Sequence, residues 1–384
     1  MSNDKKSKID WIADLIQLKN ELPKLHANKN QNSYKLFYDK IDLISSNYSK
    51  KYTMEIIADI GKAIATLKDA HTTLVFPQSH RLPFSCYCFE EGIFIIETDE
   101  NHKDILHTKI MAINGKKIDD IIEEFSKIIS HENTQYFLSS LPDFIVCSNI
   151  LFGLNIIDDA EKIKITVEEG NGRIKDILLS SILYKNYMPY GKNEKLINYQ
   201  NKDKYLWSRK IKSTYYINYN KCSDFEPFFI SDIAEDIKNE ILNDDKIKNI
   251  IIDLRNNSGG NSELFQPFLR WICNYEPIVN DSIKLYVIIG RDTFSSALLN
   301  AYYLNFNSNA IFIGENTGGK PNSYGEVKYL DLKSSGLLVK YSSRYYKLID
   351  DDNVLYFTPE INFKVSFKDY LNNYDPYTEF ILTK

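Results

Sequence analysis

Asp253-Leu254-Arg255-Asn256-Asn257-Ser258-Gly259-Gly260 follows directly on the apolar run Ile250 to Ile252, and Thr293-Phe294-Ser295-Ser296-Ala297 comes shortly after a second apolar run, Leu285 to Ile289. Each reads as a buried strand that ends in small residues suited to an active-site loop. The two glycines can present bare backbone N–H groups to a developing negative charge, and a serine at a strand-to-helix turn is where an acyl-transfer nucleophile is displayed. Together the segments imply serine hydrolase chemistry.

Two further segments extend the pattern. Lys320 lies 25 positions after Ser295 (320 − 295), inside Gly314-Glu315-Asn316-Thr317-Gly318-Gly319-Lys320-Pro321-Asn322. Far upstream stands Leu67-Lys68-Asp69-Ala70-His71-Thr72. The four segments, in their order along the chain, resemble the motifs of the tail-specific (C-terminal processing) peptidase superfamily, over roughly residues 55 to 380. The resemblance implies an α/β fold with a crotonase-like ββα-spiral catalytic core, a helical N-terminal region and a PDZ-like β-rich insert.

The pattern of residues along the chain agrees with that division. Apolar residues recur at helical spacing in Ile9, Ile12, Leu15, Ile16, in Phe37, Tyr38, Ile41, Ile44, and through Met54 to Leu67, so residues 1–75 are expected to form a helical domain that delivers His71. Residues 76–195 turn to short strands, with a helix from Asp119 to Ile129 and a hairpin of Ile163 to Glu168 with Ile174 to Leu179. The strand-turn-strand through Ile113-Asn114-Gly115 carries the PDZ-like resemblance, but no carboxylate-binding glycine loop precedes it. A purely structural insert is an equal alternative. In residues 196–384 strands and helices alternate, with helices expected at Ile230 to Leu242, Ser262 to Cys273 and Ser295 to Phe306. Short connections between them imply a largely parallel layered core, and Pro267 is expected to kink or shorten the second helix.

Ser295 is the expected nucleophile, and it needs a base because a serine hydroxyl is protonated at neutral pH. Taken alone, Ser295-Ser296 would read as a helix cap; its place among four ordered motifs favours catalysis. His71 is preferred as the base, as the tricorn-like branch of the superfamily implies, and its ordinary pKa suits the task. Lys320 is the alternative base or an electrostatic helper, although Tyr324 stands where the lysine-using branch has a supporting glutamine. Backbone N–H groups of Gly259 or Gly260 and of Ser296 are expected to form the oxyanion hole. The resemblance places an acid shortly before Pro359-Glu360 as third triad member, so Asp350, Asp351 or Asp352 is the candidate, with a solvated acidic loop as the alternative. Asp253 and Arg255 are expected to organise their loop. His26, His80, His102, His107 and His131 have no comparable context and read as surface residues.

Composition excludes several other classes. With 384 residues, 43% of them hydrophobic, the chain can hold two or three cores, and a net charge of −5 without a basic stripe argues against nucleic-acid binding. The N-terminal stretch lacks the unbroken apolar run of a secretory signal or a membrane span, and the five scattered cysteines read as free thiols of a cytoplasmic protein. No metal or organic cofactor is implied. The expected partner is a peptide or protein substrate cleaved by a serine endopeptidase; a non-catalytic ligand- or peptide-binding protein on the same fold is the alternative. Nothing in the sequence decides for or against a homo-oligomer, and the bias toward Ile, Lys, Asn and Tyr suggests an AT-rich bacterial genome.

Overall fold

The run Asn249–Asp253 is buried along its whole length, which a strand achieves only when both faces of its sheet are covered. The structure, a computed structural model, describes residues 9–384; the first eight residues of the expected helical region lie outside the described residues. In it Asn249–Asp253 is an inner strand of a six-stranded sheet. The strand order is Leu206–Ile211, Thr214–Tyr219, Asn249–Asp253, Lys284–Ile289, Ile311–Gly314, Ile361–Asn362. The first two form an antiparallel hairpin and all later pairs are parallel.

Alternation along the inner strand splits its side chains between two cores. Ile250 and Ile252 pack beneath the helices Ile230–Leu242, Gln266–Asn274 and Ser296–Asn307, while Ile251 faces the smaller cluster of Trp207, Tyr216, Tyr286, Ile288, Tyr377 and Ile381. Pro267 does not kink a helix. It sits at the first turn of Gln266–Asn274, where its missing N–H costs no hydrogen bond, and Ser262–Leu264 forms a separate 3₁₀ turn.

The N-terminal half is built on one continuous core. The helices Trp11–Leu25, Lys35–Asn47 and Thr53–Ala65 share it with an antiparallel sheet of strands Phe84–Phe89, Gly92–Thr98, Lys109–Ile113, Ile163–Glu168 and Ile174–Leu179. A helix the sequence did not announce, Thr134–Val146, lies against the first of these strands despite Pro142 within it.

A long hairpin, Ser323–Asp331 with Leu338–Tyr346, links this half to the sheet that bears Ser295. Its Leu330 and Val339 enter the N-terminal core, and its second strand pairs with Thr73–Leu74, two residues beyond His71. Mixed α/β architecture is therefore observed throughout, with His71 tied by strand pairing to the loop that carries Lys320.

Candidate active site

The strand Lys284–Ile289 ends at Gly290, and the chain turns through Arg291 to Phe294 before the helix Ser296–Asn307 begins. Thr293 fixes that turn: its hydroxyl donates to the Leu254 carbonyl (2.9 Å) and accepts from the Gly290 N–H (3.0 Å). Ser295, the residue before the helix, is forced to φ 52° and ψ −124°. A side-chain-bearing residue holds such a conformation at a cost of roughly 1–3 kcal/mol, and strain of this kind clusters at functional turns. Ser295 Oγ makes no capping hydrogen bond, so the turn displays it.

The glycine loop packs directly under the serine. A Cβ on Gly259, whose φ is +104°, would lie 2.7 Å from Ser295 Cβ and 2.9 Å from Ser296 N. Only glycine fits there. Gly260, at φ +135°, is equally constrained, because a Cβ would meet the Cys222 carbonyl oxygen at 2.0 Å. Cys222 brackets the loop by donating to Gly259 O (3.0 Å) and accepting from Asn261 N–H (2.7 Å). Asn257 settles which glycine has a spare donor. Its Oδ1 accepts the Gly259 N–H at 2.9 Å while its Nδ2 donates to Tyr219 O at 2.9 Å. Among the described residues, the N–H groups of Gly260 and Ser296 have no hydrogen-bond acceptor, and the Ser296 hydroxyl donates to Gly260 O (2.6 Å), holding the two side by side.

Below the loop, Arg255 is buried and forks onto Asp375 (2.9 and 2.8 Å) while its Nε donates to Asp253 (2.9 Å). Both carboxylates offset the burial of the guanidinium, and Asp253 and Arg255 thus brace the loop from beneath, away from the serine.

His71 closes the opposite side. Its ring stacks on Phe294, centroids 4.4 Å apart, and its side chain is only 9% exposed. Among the described residues neither ring nitrogen has a hydrogen-bond partner. Burial pushes its pKa below the ordinary histidine value, against the opposing pull of the Asp69 charge and the Tyr324 backbone. Lys320 is half-buried in the wall of the same cleft, a space of about 810 Å³ that also takes in Ser295, Gly260, Leu298, Tyr324 and Arg344. Among the described residues Lys320 has no ion-pair partner. The Gly319 N–H donates to Thr293 O (3.0 Å), which pins the lysine loop to the serine turn.

The structure therefore brings Ser295, His71, Lys320, Gly259, Gly260 and Ser296 together around one cleft. It does not bring Asp350, Asp351 or Asp352 to His71. Asp352 accepts from Asn322 Nδ2 (2.6 Å) and the Tyr345 hydroxyl, Asp351 caps its own turn through Asn353, and Asp350 is exposed beside Lys347. The stretch is the solvated acidic loop of the alternative reading, with Asp352 stapling the loop after Lys320.

Two groups near the site were not singled out in the sequence. His26 is no surface residue: it is 1% exposed and its Nε2 meets Asp69 at 2.9 Å. Nothing local could reveal this, since its partner lies 43 positions away. Glu132 is half-buried, with its Oε2 enclosed and, among the described residues, unpartnered. Burial, reinforced by the Asp69 charge, pushes its pKa up to about 8, against the Ala70 backbone and Lys320, which pull it down. The neighbouring Asn133 holds this segment in place by donating to Gly318 O (2.9 Å) and Leu355 O (2.8 Å).

Comparison with protein-family models and with curated proteins finds no match. Among solved structures the chain is similar to mature CPAF complexed with lactacystin, with a TM-score of 0.67 at 11% identity over 97% of both chains. It is likewise similar to mature CPAF alone, at 0.66 and 12% identity over 97% of this chain and 95% of that one. A looser likeness, TM-score 0.46 at 11% identity over 93% and 94% of the two chains, is to the photosystem II D1 C-terminal processing protease. The likeness to CPAF is one of fold, and it extends over nearly the whole chain.

Proposed function

We propose that this protein is a serine endopeptidase that cleaves peptides or unstructured protein segments through an acyl-enzyme. The observation that carries this reading is the strained display of Ser295 against two unclaimed backbone donors, those of Gly260 and Ser296, across a cleft from His71. A protein that only bound ligands would have no use for that strain.

In the proposed reaction Ser295 Oγ attacks the scissile carbonyl carbon while His71 takes the hydroxyl proton. The carbonyl oxygen becomes an oxyanion held by the Gly260 and Ser296 N–H groups, each donor worth about 3 kcal/mol in the transition state. His71 then passes the proton to the leaving amine as the C–N bond breaks, and water, deprotonated by the same ring, hydrolyses the ester. His71 is preferred over Lys320 because burial keeps the imidazole neutral near physiological pH. Lys320, without an ion-pair partner among the described residues, supplies positive charge to the cleft.

The finer architecture is part of the same reading: a crotonase-like core for residues 196–384 and a PDZ-like insert for 76–195, the insert shaping the cleft. Buried Cys86 and Cys88 on Phe84–Phe89, with helix Thr134–Val146 packed along that strand, favour a structural insert over one that captures peptide C-termini. A fluorophosphonate probe tests the function. Labelling of the wild type that disappears in Ser295→Ala is expected; a wild type that stays unlabelled and hydrolyses no unfolded protein refutes it.

A further inference from the structure

We propose that Asp69, anchored by His26, is the positioning residue for the His71 base and fills the place that Asp350, Asp351 and Asp352 do not occupy. The proposal rests on the assignment of Ser295 and His71 above. Asp69 is 1% exposed, and among the described residues its ion-pair partners are His26 and His71, with no lysine or arginine. Its Oδ2 is saturated by three donors, His26 Nε2 (2.9 Å), Thr72 Oγ1 (2.5 Å) and Ser342 Oγ (2.6 Å). Among the described residues its Oδ1 accepts from the His71 backbone N–H (3.0 Å) and nothing else, which leaves a lone pair for the ring. That oxygen lies 4.0 Å from His71 Nδ1, and among the described residues no other carboxylate comes that near a ring nitrogen.

The donors explain why a carboxylate is tolerated at this depth. Burial alone would push Asp69 up, but the hydrogen bonds from His26, Ser342 and Thr72 and the nearby His71 hold it below the usual carboxylate range. His26 is itself fixed from behind: Nδ1 meets the Tyr34 hydroxyl at 2.7 Å, and that hydroxyl donates to Asn28 O at 2.9 Å. A polar chain thus runs from Asn28 through Tyr34, His26 and Asp69 to the catalytic cleft. The other groups facing His71 are the Tyr324 backbone and Lys340 from the long hairpin, Phe294 from the serine turn, and Lys320 across the cleft, with Glu132 behind Asp69. None of these is an anion that could accept from Nδ1 at neutral pH.

A shift of about 1 Å closes the 4.0 Å gap to a hydrogen bond, the kind of tightening expected when substrate fills a site. Asp69 then holds Nδ1–H, leaves Nε2 as the lone-pair base toward Ser295, and stabilises the imidazolium without taking its proton.

Two experiments on the full chain decide it. Asp69→Asn is expected to lower kcat by about 10³-fold or more with little change in KM, and to move the acid limb of kcat/KM to lower pH because an anion beside His71 is lost. An unmoved limb, or a kcat within about tenfold of wild type, overturns the proposal. Should Asp69→Asn fail to fold, ¹⁵N-histidine spectra of the wild type, with His71 assigned by its loss in His71→Gln, read the tautomer directly. A neutral ring protonated at Nδ1 supports the proposal, and one protonated at Nε2 overturns it. This readout needs no turnover, so it stands apart from the peptidase assignment, which the Ser295 labelling tests on its own.

Discussion

Gly259→Ala separates the two demands this site makes on its backbone. At φ +104° an alanine is strained, costing about 1–2 kcal/mol. Its Cβ would also sit 2.7 Å from Ser295 Cβ and 2.9 Å from Ser296 N, so the serine turn must move, adding about 1–3 kcal/mol of overpacking. Moving the turn withdraws the Ser296 N–H from the oxyanion, worth about 3 kcal/mol or some 10²-fold in kcat. Gly336→Ala is the control: its φ is +74° with nothing within 4 Å, so it carries strain without a clash. Steady-state hydrolysis of an unfolded protein and thermal midpoints for both variants make the comparison. Gly259→Ala should lose at least about 10²-fold in kcat and melt several degrees below Gly336→Ala, at roughly 2 °C per kcal/mol for a chain of this size. A Gly259→Ala enzyme with kcat within a few-fold of wild type and a midpoint equal to that of the control refutes the placement of the glycine beneath the nucleophile.

Ser295→Ala should abolish hydrolysis at an almost unchanged midpoint, whereas Ser295→Gly should be equally dead yet more stable by about 1 kcal/mol, because glycine relaxes a φ of 52°; a destabilised Ser295→Gly contradicts the strain. With His71 as base, kcat/KM falls on the acid side with a limb below the ordinary histidine value of about 6.5, since burial favours the neutral ring, and His71→Ala loses three or more decades. A limb well above that value, with Lys320→Ala inactive and His71→Ala active, transfers the role to Lys320. Glu132→Gln tests the buried carboxyl. With the folded pKa raised to about 8, the unfolded chain ionises first as pH rises from about 4.5, so the wild type loses up to about 1.4 kcal/mol per pH unit relative to the variant until pH 8. A midpoint difference between the two proteins that is the same at pH 5 and pH 8 rules out a neutral Glu132.

What the sequence made legible was whatever is encoded locally. Helix Ile230–Leu242 and the hairpin Ile163–Glu168 with Ile174–Leu179 fall at their expected residues because apolar periodicity and a Gly170-Asn171-Gly172 turn define them without outside help. The serine turn and glycine loop were legible because glycine and small residues at strand ends have few other uses. Helix Thr134–Val146 was not, since Pro142 breaks the helical pattern and the helix is held by packing on Phe84–Phe89. Which glycine offers the free donor was equally hidden, because Asn257 decides it through a side-chain hydrogen bond. Asp350 to Asp352 were candidates because the resemblance places an acid shortly before Pro359-Glu360, and Asn322, just ahead of the hairpin, claims Asp352 instead.

His26 shows the limit most plainly, because its hydrogen-bond partner arrives only when two distant parts of the chain meet. Asp69 is held by His26 from the first helix's exit and by Ser342, 273 positions away, on the long hairpin. His71 therefore belongs to the N-terminal core, whereas Ser295 belongs to the parallel sheet, and the hairpin, the stacking of His71 on Phe294 and hydrogen bonds such as Asn133 to Gly318 O and Arg291 to Cys88 O join them. Neither half contains a complete site. Partial unfolding that separates the halves must then silence hydrolysis even where the hydrogen bonds of Thr293 to Leu254 and Gly290 survive within the parallel sheet. Activity in this fold reports the docking of two cores before it reports the integrity of either.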